Sequence, residues 1–112
     1  MTGQGRRNKG SNAEREVAAI LQQYGWNNAH RGMVFYHESD IEDAIPGLHL
    51  EVKRQEQTRL RDWIKQSEEQ KKAGEIATVI HRRNREPWYI TMQFTDFLTF
   101  IKKGDTKHDD CI

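Results

Sequence analysis

Cysteine is almost absent from this chain: the one thiol, Cys111, stands second from the C-terminal end. An internal disulfide is therefore excluded, and a reducing cytoplasm is the expected compartment. Long apolar runs are missing as well, so no membrane span is expected. The N-terminal stretch lacks the apolar core that a secretory leader carries. An excess of one charge is lacking: 18 Lys and Arg against 17 Asp and Glu leave a net +1, which by itself does not point to nucleic acid. Zinc-ligand spacing is absent too, since His30, His37 and His81 pair neither with one another nor with Cys111 at the intervals a zinc site uses.

What is present is a chain of 112 residues, 31% of them Asp, Glu, Lys or Arg. That length suits one domain with a modest core. Mean hydropathy is −0.97, yet apolar residues recur in ordered patterns, so the chain as a whole is not disordered. Residues 1–10 are Gly-rich, polar and basic, and read as a flexible arm. From Ser11 the spacing of Ala13, Val17, Ile20, Leu21 and Tyr24 predicts a helix, with Gly25 as its stop. Strands are expected over 30–35, 40–45 and 48–54, the last being the best defined. Leu60, Trp63 and Ile64 predict a helix over 58–72, and Trp63, Trp88 and Phe94 are expected in the core.

The β-branched run 76–81 and the stretch 88–92 read as a hairpin with a basic loop, and Thr95 caps a last helix over 96–103 with Phe97, Leu98 and Ile101 inward. The expected order is αβββαββα: an α/β fold with a mixed five-stranded sheet flanked by helices. One domain is expected over 11–103, followed by a loose tail over 104–112.

The chemistry concentrates in Ser39-Asp40-Ile41 and in Leu50-Glu51-Val52-Lys53. In a strand, positions two apart share a face, so Glu51 and Lys53 point the same way. Ile45-Pro46-Gly47-Leu48 reads as a tight turn that folds the Asp40 strand back beside the Glu51 strand. Two carboxylates then converge near one ammonium group. Oxygen donors of this kind suit Mg²⁺, which binds through one or two carboxylates together with water and substrate phosphate. His49 shares the Glu51 face, but a lone histidine is more often structural, and an oxygen-rich set favours Mg²⁺ over Zn²⁺.

This D…ExK arrangement is similar to the signature of the PD-(D/E)xK nuclease superfamily. The opening Lys9-Gly10-Ser11-Asn12-Ala13-Glu14-Arg15-Glu16 resembles the KGxxAERE start of archaeal-type Holliday junction resolvases, and the stretch from His81 to Trp88 resembles small phage nucleases of that kind. Ser39 departs from the pattern, since the superfamily usually has proline there.

The resemblance implies a restriction-endonuclease-like fold and a Mg²⁺-dependent DNA endonuclease, with Mn²⁺ able to substitute. Asp40, Glu51 and the Val52 carbonyl would hold the metal, Lys53 would neutralise charge growing on the phosphate, and Glu14 would be a further active-site acid. Gln66 or Gln70 would orient groups near the lysine. Arg6, Arg7, Lys9, Arg15, Arg31, Arg82, Arg83 and Arg85 are the phosphate-contact candidates. Paired cuts in a four-way junction need two sites, hence a homodimer.

Plainer readings stand beside these. Ser11-x-x-Glu14 is also a capping box, Glu16 reads as a solvated helix charge, and Glu51 with Lys53 reads as an exposed ion pair. The rival functions are a flap or duplex-end nuclease of the same chemistry, a DNA-binding module without catalysis, and a protein-interaction module.

Overall fold

The computed structural model describes residues 3–32 and 39–109, with side chains described over 10–32 and 39–104. Among them are five strands, β1 (His30–Arg31), β2 (Ile41–Glu42), β3 (Leu48–Arg54), β4 (Ile76–Arg82) and β5 (Tyr89–Thr91), and three helices, α1 (Gly3–Gln23), α2 (Leu60–Gln70) and α3 (Phe94–Asp109). The strands form one sheet in the order β1-β2-β3-β4-β5. Neighbours run antiparallel except β3 and β4, which are parallel and joined through α2. A parallel pair needs such a crossover, because a tight hairpin reverses direction. The sheet is therefore mixed and the fold is α/β, as the patterning implies.

Alternation along β3 decides what each face meets. Leu48, Leu50 and Val52 point to one face, where Ala13, Val17, Ala18 and Leu21 of α1 cover them. Each fully buried aliphatic side chain of this kind stabilises the fold by roughly 1.5–3 kcal/mol. His49, Glu51 and Lys53 point to the other face. There Lys53 lies opposite His81 of β4, and the His81 ring stands 5.8 Å from that of Trp63 on α2. Gly47 closes the turn into β3 at φ 87, a left-handed conformation that glycine adopts without strain. Its carbonyl accepts the Ile76 N–H at 2.8 Å, which ties the turn to the start of β4.

Several boundaries differ from expectation. The first helix begins at Gly3 rather than Ser11. Once the packed stripe Ala13–Leu21 nucleates it, each added residue gains a hydrogen bond at little cost, and the Arg, Gln and Lys residues upstream are good helix formers. The last helix likewise runs on to Asp109. The expected strand over 30–35 is described only at His30–Arg31, since 33–38 lie outside the described residues. Tyr24 is 77% exposed instead of buried, because the helix ends just before it and the chain turns at Gly25.

In α3, Phe97, Leu98 and Ile101 are exposed rather than inward, and Phe94 is 75% exposed. Phe100 is the α3 side chain that packs on the core cluster.

Candidate active site

The site is built where β2 enters beside β3. Asp40 is pinned by its backbone from both sides: its N–H donates to the Leu50 carbonyl and its carbonyl accepts the Gly32 N–H, each at 2.8 Å. Its carboxylate Oδ2 accepts the Val52 N–H at 2.8 Å. The turn thus folds the first acid back onto the strand that carries Glu51. Gly32 is needed at this neck, because a Cβ there would collide with the Ser39 carbonyl oxygen.

Asp40 feels the crowding. Its carboxyl is pushed up from the usual 3.8 to about 7, first by burial and next by the negative charge of Glu51. The Val52 N–H pulls the other way, while the Glu14 charge and a hydrogen bond shared with Glu51 add to the rise. The charges of Glu51 of β3 and Glu14 of α1 therefore both act on Asp40, which stands just before β2. Such an acid cluster favours either a proton or a cation.

Glu51 is only 2% exposed. Its Oε1 lies 2.8 Å from His49 Nε2, and His49 Nδ1 lies 3.0 Å from Ser39 Oγ. With Nε2–H donating to the carboxylate, Nδ1 accepts the serine hydroxyl proton. The histidine set aside at the sequence level thus orients Glu51. The visible signal was its place two residues before Glu51 on the same strand face. Ser39, at the position where proline is usual in the resembling family, supplies the other end of that chain. A cleft of about 400 Å³, lined by Ser39, His49, Gln70, Lys72 and Glu75 among others, opens on this side.

Glu14 is not a capping residue. Ser11 lies inside α1, and Glu14 Oε2 accepts from Arg31 Nε at 2.8 Å. Arg31, expected on phosphate, is thereby half-buried in an ion pair. Glu16 is not a solvated charge either. It accepts from Trp88 Nε1 at 2.9 Å and meets Arg82 Nη2 at 3.1 Å, with Arg54 Nη1 at 3.8 Å. The Arg82 guanidinium also stacks 5.1 Å from the Trp88 ring centroid. Arg82 thus ties β4 to α1, and the basic loop presents Arg83 and Arg85 as its outward cations.

Arg15 is exposed on α1. The side chains of Arg6, Arg7 and Lys9 lie outside the described residues. Lys53 is half-buried on the Glu51 face, and burial holds the neighbouring His81 below its usual 6.5, hence neutral beside the lysine. Gln66 is half-buried on α2 and Gln70 is exposed at the cleft.

The donors fit a hard divalent cation in kind: Asp40 and Glu51 are carboxylates, and the proton-like demand of the cluster marks where positive charge is favoured. Among the described residues, no group of three or more His, Cys, Asp and Glu side chains stands in place to hold a metal ion. The expected set asks for fewer, two carboxylates and the Val52 carbonyl, with water completing the shell. Among the described residues no helix is long and apolar enough to cross a membrane. No family model, curated protein or solved structure matches the chain.

Proposed function

We propose that this protein is a Mg²⁺-dependent DNA endonuclease with a PD-(D/E)xK-type site, structure-selective for branched DNA such as four-way junctions. The observation that supports the proposal is that Asp40 lies close enough to Glu51 of β3 and Glu14 of α1 for both charges to act on it, with Lys53 two residues beyond Glu51 on the same strand face. Acids this crowded are costly to a fold unless a cation is drawn to them. A bound divalent cation would supply Lewis-acid polarisation of a phosphate oxygen and a water of lowered pKa; Mn²⁺ would serve as well. Asp40, Glu51 and the Val52 carbonyl are the residues that would hold it.

The chain's own residues do the rest. His49, braced by Ser39, holds Glu51 in one orientation. Lys53, two residues along, brings positive charge to a phosphate lying over the acids, where it stabilises charge that grows in the transition state. Arg31 restrains Glu14 at the edge of the cluster. Arg83, Arg85 and Arg15 are exposed and would meet phosphates farther along the DNA, as the arm cations Arg6, Arg7 and Lys9 would by sequence. One chain carries one such site, so paired cuts call for a twofold dimer.

Cleavage of four-way junction, flap and linear duplex DNA, each with Mg²⁺ and with chelator, tests the proposal. Metal-dependent cutting of the junction in preference to the others is expected. Preference for flaps or ends would reassign the substrate, and binding without cutting of any of them would reduce the protein to a DNA-binding module.

A further inference from the structure

We infer that Lys53, His81 and Tyr89 form one recognition row, in which Lys53 takes a DNA phosphate and the open face of the Tyr89 ring stacks an unpaired base beside it. Strand register sets the row. Lys53 of β3 is opposite His81 of β4, and His81 is opposite Tyr89 of β5. Directly opposed residues stand on the same face of a sheet, so all three share the face that bears Glu51. Two strand spacings carry the row about 10 Å across the sheet, comparable to the length of one nucleotide. The row also lies near the carboxyl ends of the parallel strands β3 and β4, the end of an α/β sheet at which ligands bind.

The rings are held in place. His81 Nε2 lies 2.8 Å from Thr91 Oγ1, which fixes the plane of the imidazole. The Trp63 ring backs it at 5.8 Å, and the Tyr89 ring follows at 6.2 Å, tilted 32° from the imidazole plane. Trp63 is buried, whereas Tyr89 is 55% exposed. The imidazole thus props a tyrosine ring that keeps an outer face open to a ligand. Burial holds His81 below its usual 6.5, so no second positive charge stands between Lys53 and the tyrosine to draw a phosphate off the lysine. A base inside a duplex has both faces covered by its neighbours, so a stacking ring selects a base that is unpaired and splayed out. Stacking also tolerates every base, since each has a π face, and a choice of DNA shape without choice of sequence is what a structure-selective nuclease requires. The phosphate contact of Lys53 rests on the nuclease proposal; the row adds the group that reads an unpaired nucleotide at the branch.

Fluorescence anisotropy in chelator, where no cutting is expected, tests the row. The probes are a labelled DNA junction with unpaired thymines at its branch point, and the same junction with those bases removed to leave abasic sugars. The native chain should bind the intact junction about tenfold more tightly, the usual worth of one stacked base. Tyr89→Ala should lose about tenfold on the intact junction and little on the abasic one, with unchanged circular dichroism. Tyr89→Phe should restore native affinity, because the ring face remains. A tyrosine that only packs His81 would weaken both junctions alike when removed. Should the alanine variant fail to fold, the native chain on the two junctions reads the row by itself. Equal binding of the two junctions by the native chain, or equal losses on both in Tyr89→Ala, overturns the inference even if the chain cuts DNA in Mg²⁺. Base-dependent binding, lost in Tyr89→Ala, by a chain that cuts nothing would uphold the row and remove the nuclease reading instead. A native chain that binds neither junction overturns both.

Discussion

Asp40→Asn should stabilise the protein above neutral pH while removing its response to magnesium. In the folded chain the Asp40 carboxyl is pushed up from 3.8 to about 7, chiefly by burial and then by Glu51. At 1.36 kcal/mol per pH unit that is roughly 4 kcal/mol in favour of the protonated form. Residual solvent access and the proton shared with Glu51 reduce the usable part to about 2 kcal/mol. The sign follows from proton binding. Between the unfolded value near 3.8 and the folded value of about 7, the folded state holds the extra proton, so stability falls as pH rises through that window and levels off above it. Asparagine cannot ionise, and its Oδ1 still accepts the Val52 N–H.

At about pH 8 the variant should therefore melt roughly 8 °C above the parent chain, taking about 4 °C per kcal/mol at this length. Adding MgCl₂ at constant ionic strength should raise the parent's Tm at that pH and hardly move the variant's. Thermal melts across the window, with and without magnesium, give both numbers. A parent and variant with the same pH slope, or a variant that responds to magnesium as the parent does, would refute the reasoning.

Glu14→Gln should leave stability within about 1 kcal/mol, since a partly exposed ion pair contributes little, and should suppress cleavage; retained activity would remove Glu14 from the chemistry. Gly32→Ala should destabilise the fold by about 2 kcal/mol or more and lower the Tm accordingly, because its methyl group meets the Ser39 carbonyl and the Asp40 neck must shift; an unchanged melt would show the neck to be pliant. Arg83→Ala with Arg85→Ala should weaken DNA binding and flatten its salt dependence by about one unit for each phosphate no longer neutralised, whereas Arg82→Ala should act on stability, through Glu16 and Trp88. Equal effects of the two on binding and melting would show that Arg82 is not the structural member of the cluster.

Much of the fold was legible because β3 alternates cleanly and α1 carries an uninterrupted apolar stripe; both signals are local. The acids at 40 and 51 were legible as partners because a turn-forming Pro-Gly lies between them. Other features depend on residues remote in sequence, which no local pattern records. Glu16 reads as an ordinary helix charge until Arg82 and Trp88 arrive from the far side of the sheet. Arg31 reads as a free cation until α1 presents Glu14. The α3 stripe has the spacing of a buried face, and spacing does not tell whether the cover is this chain or another. His49 was visible on the right face, but the hydroxyl that braces it sits ten residues away across a turn.

Single-turnover cleavage of a four-way junction by the parent chain, Glu51→Gln and Lys53→Ala is the most direct measurement. The parent should cut in Mg²⁺ and stop in chelator. Lys53→Ala should fold normally and cut about 10²–10³ times more slowly, the usual loss of one stabiliser of transition-state charge. Glu51→Gln should bind the junction and not cut it. A parent that cuts no junction, flap or duplex with either metal, or a Glu51→Gln chain that cuts at the parental rate, would contradict the nuclease assignment.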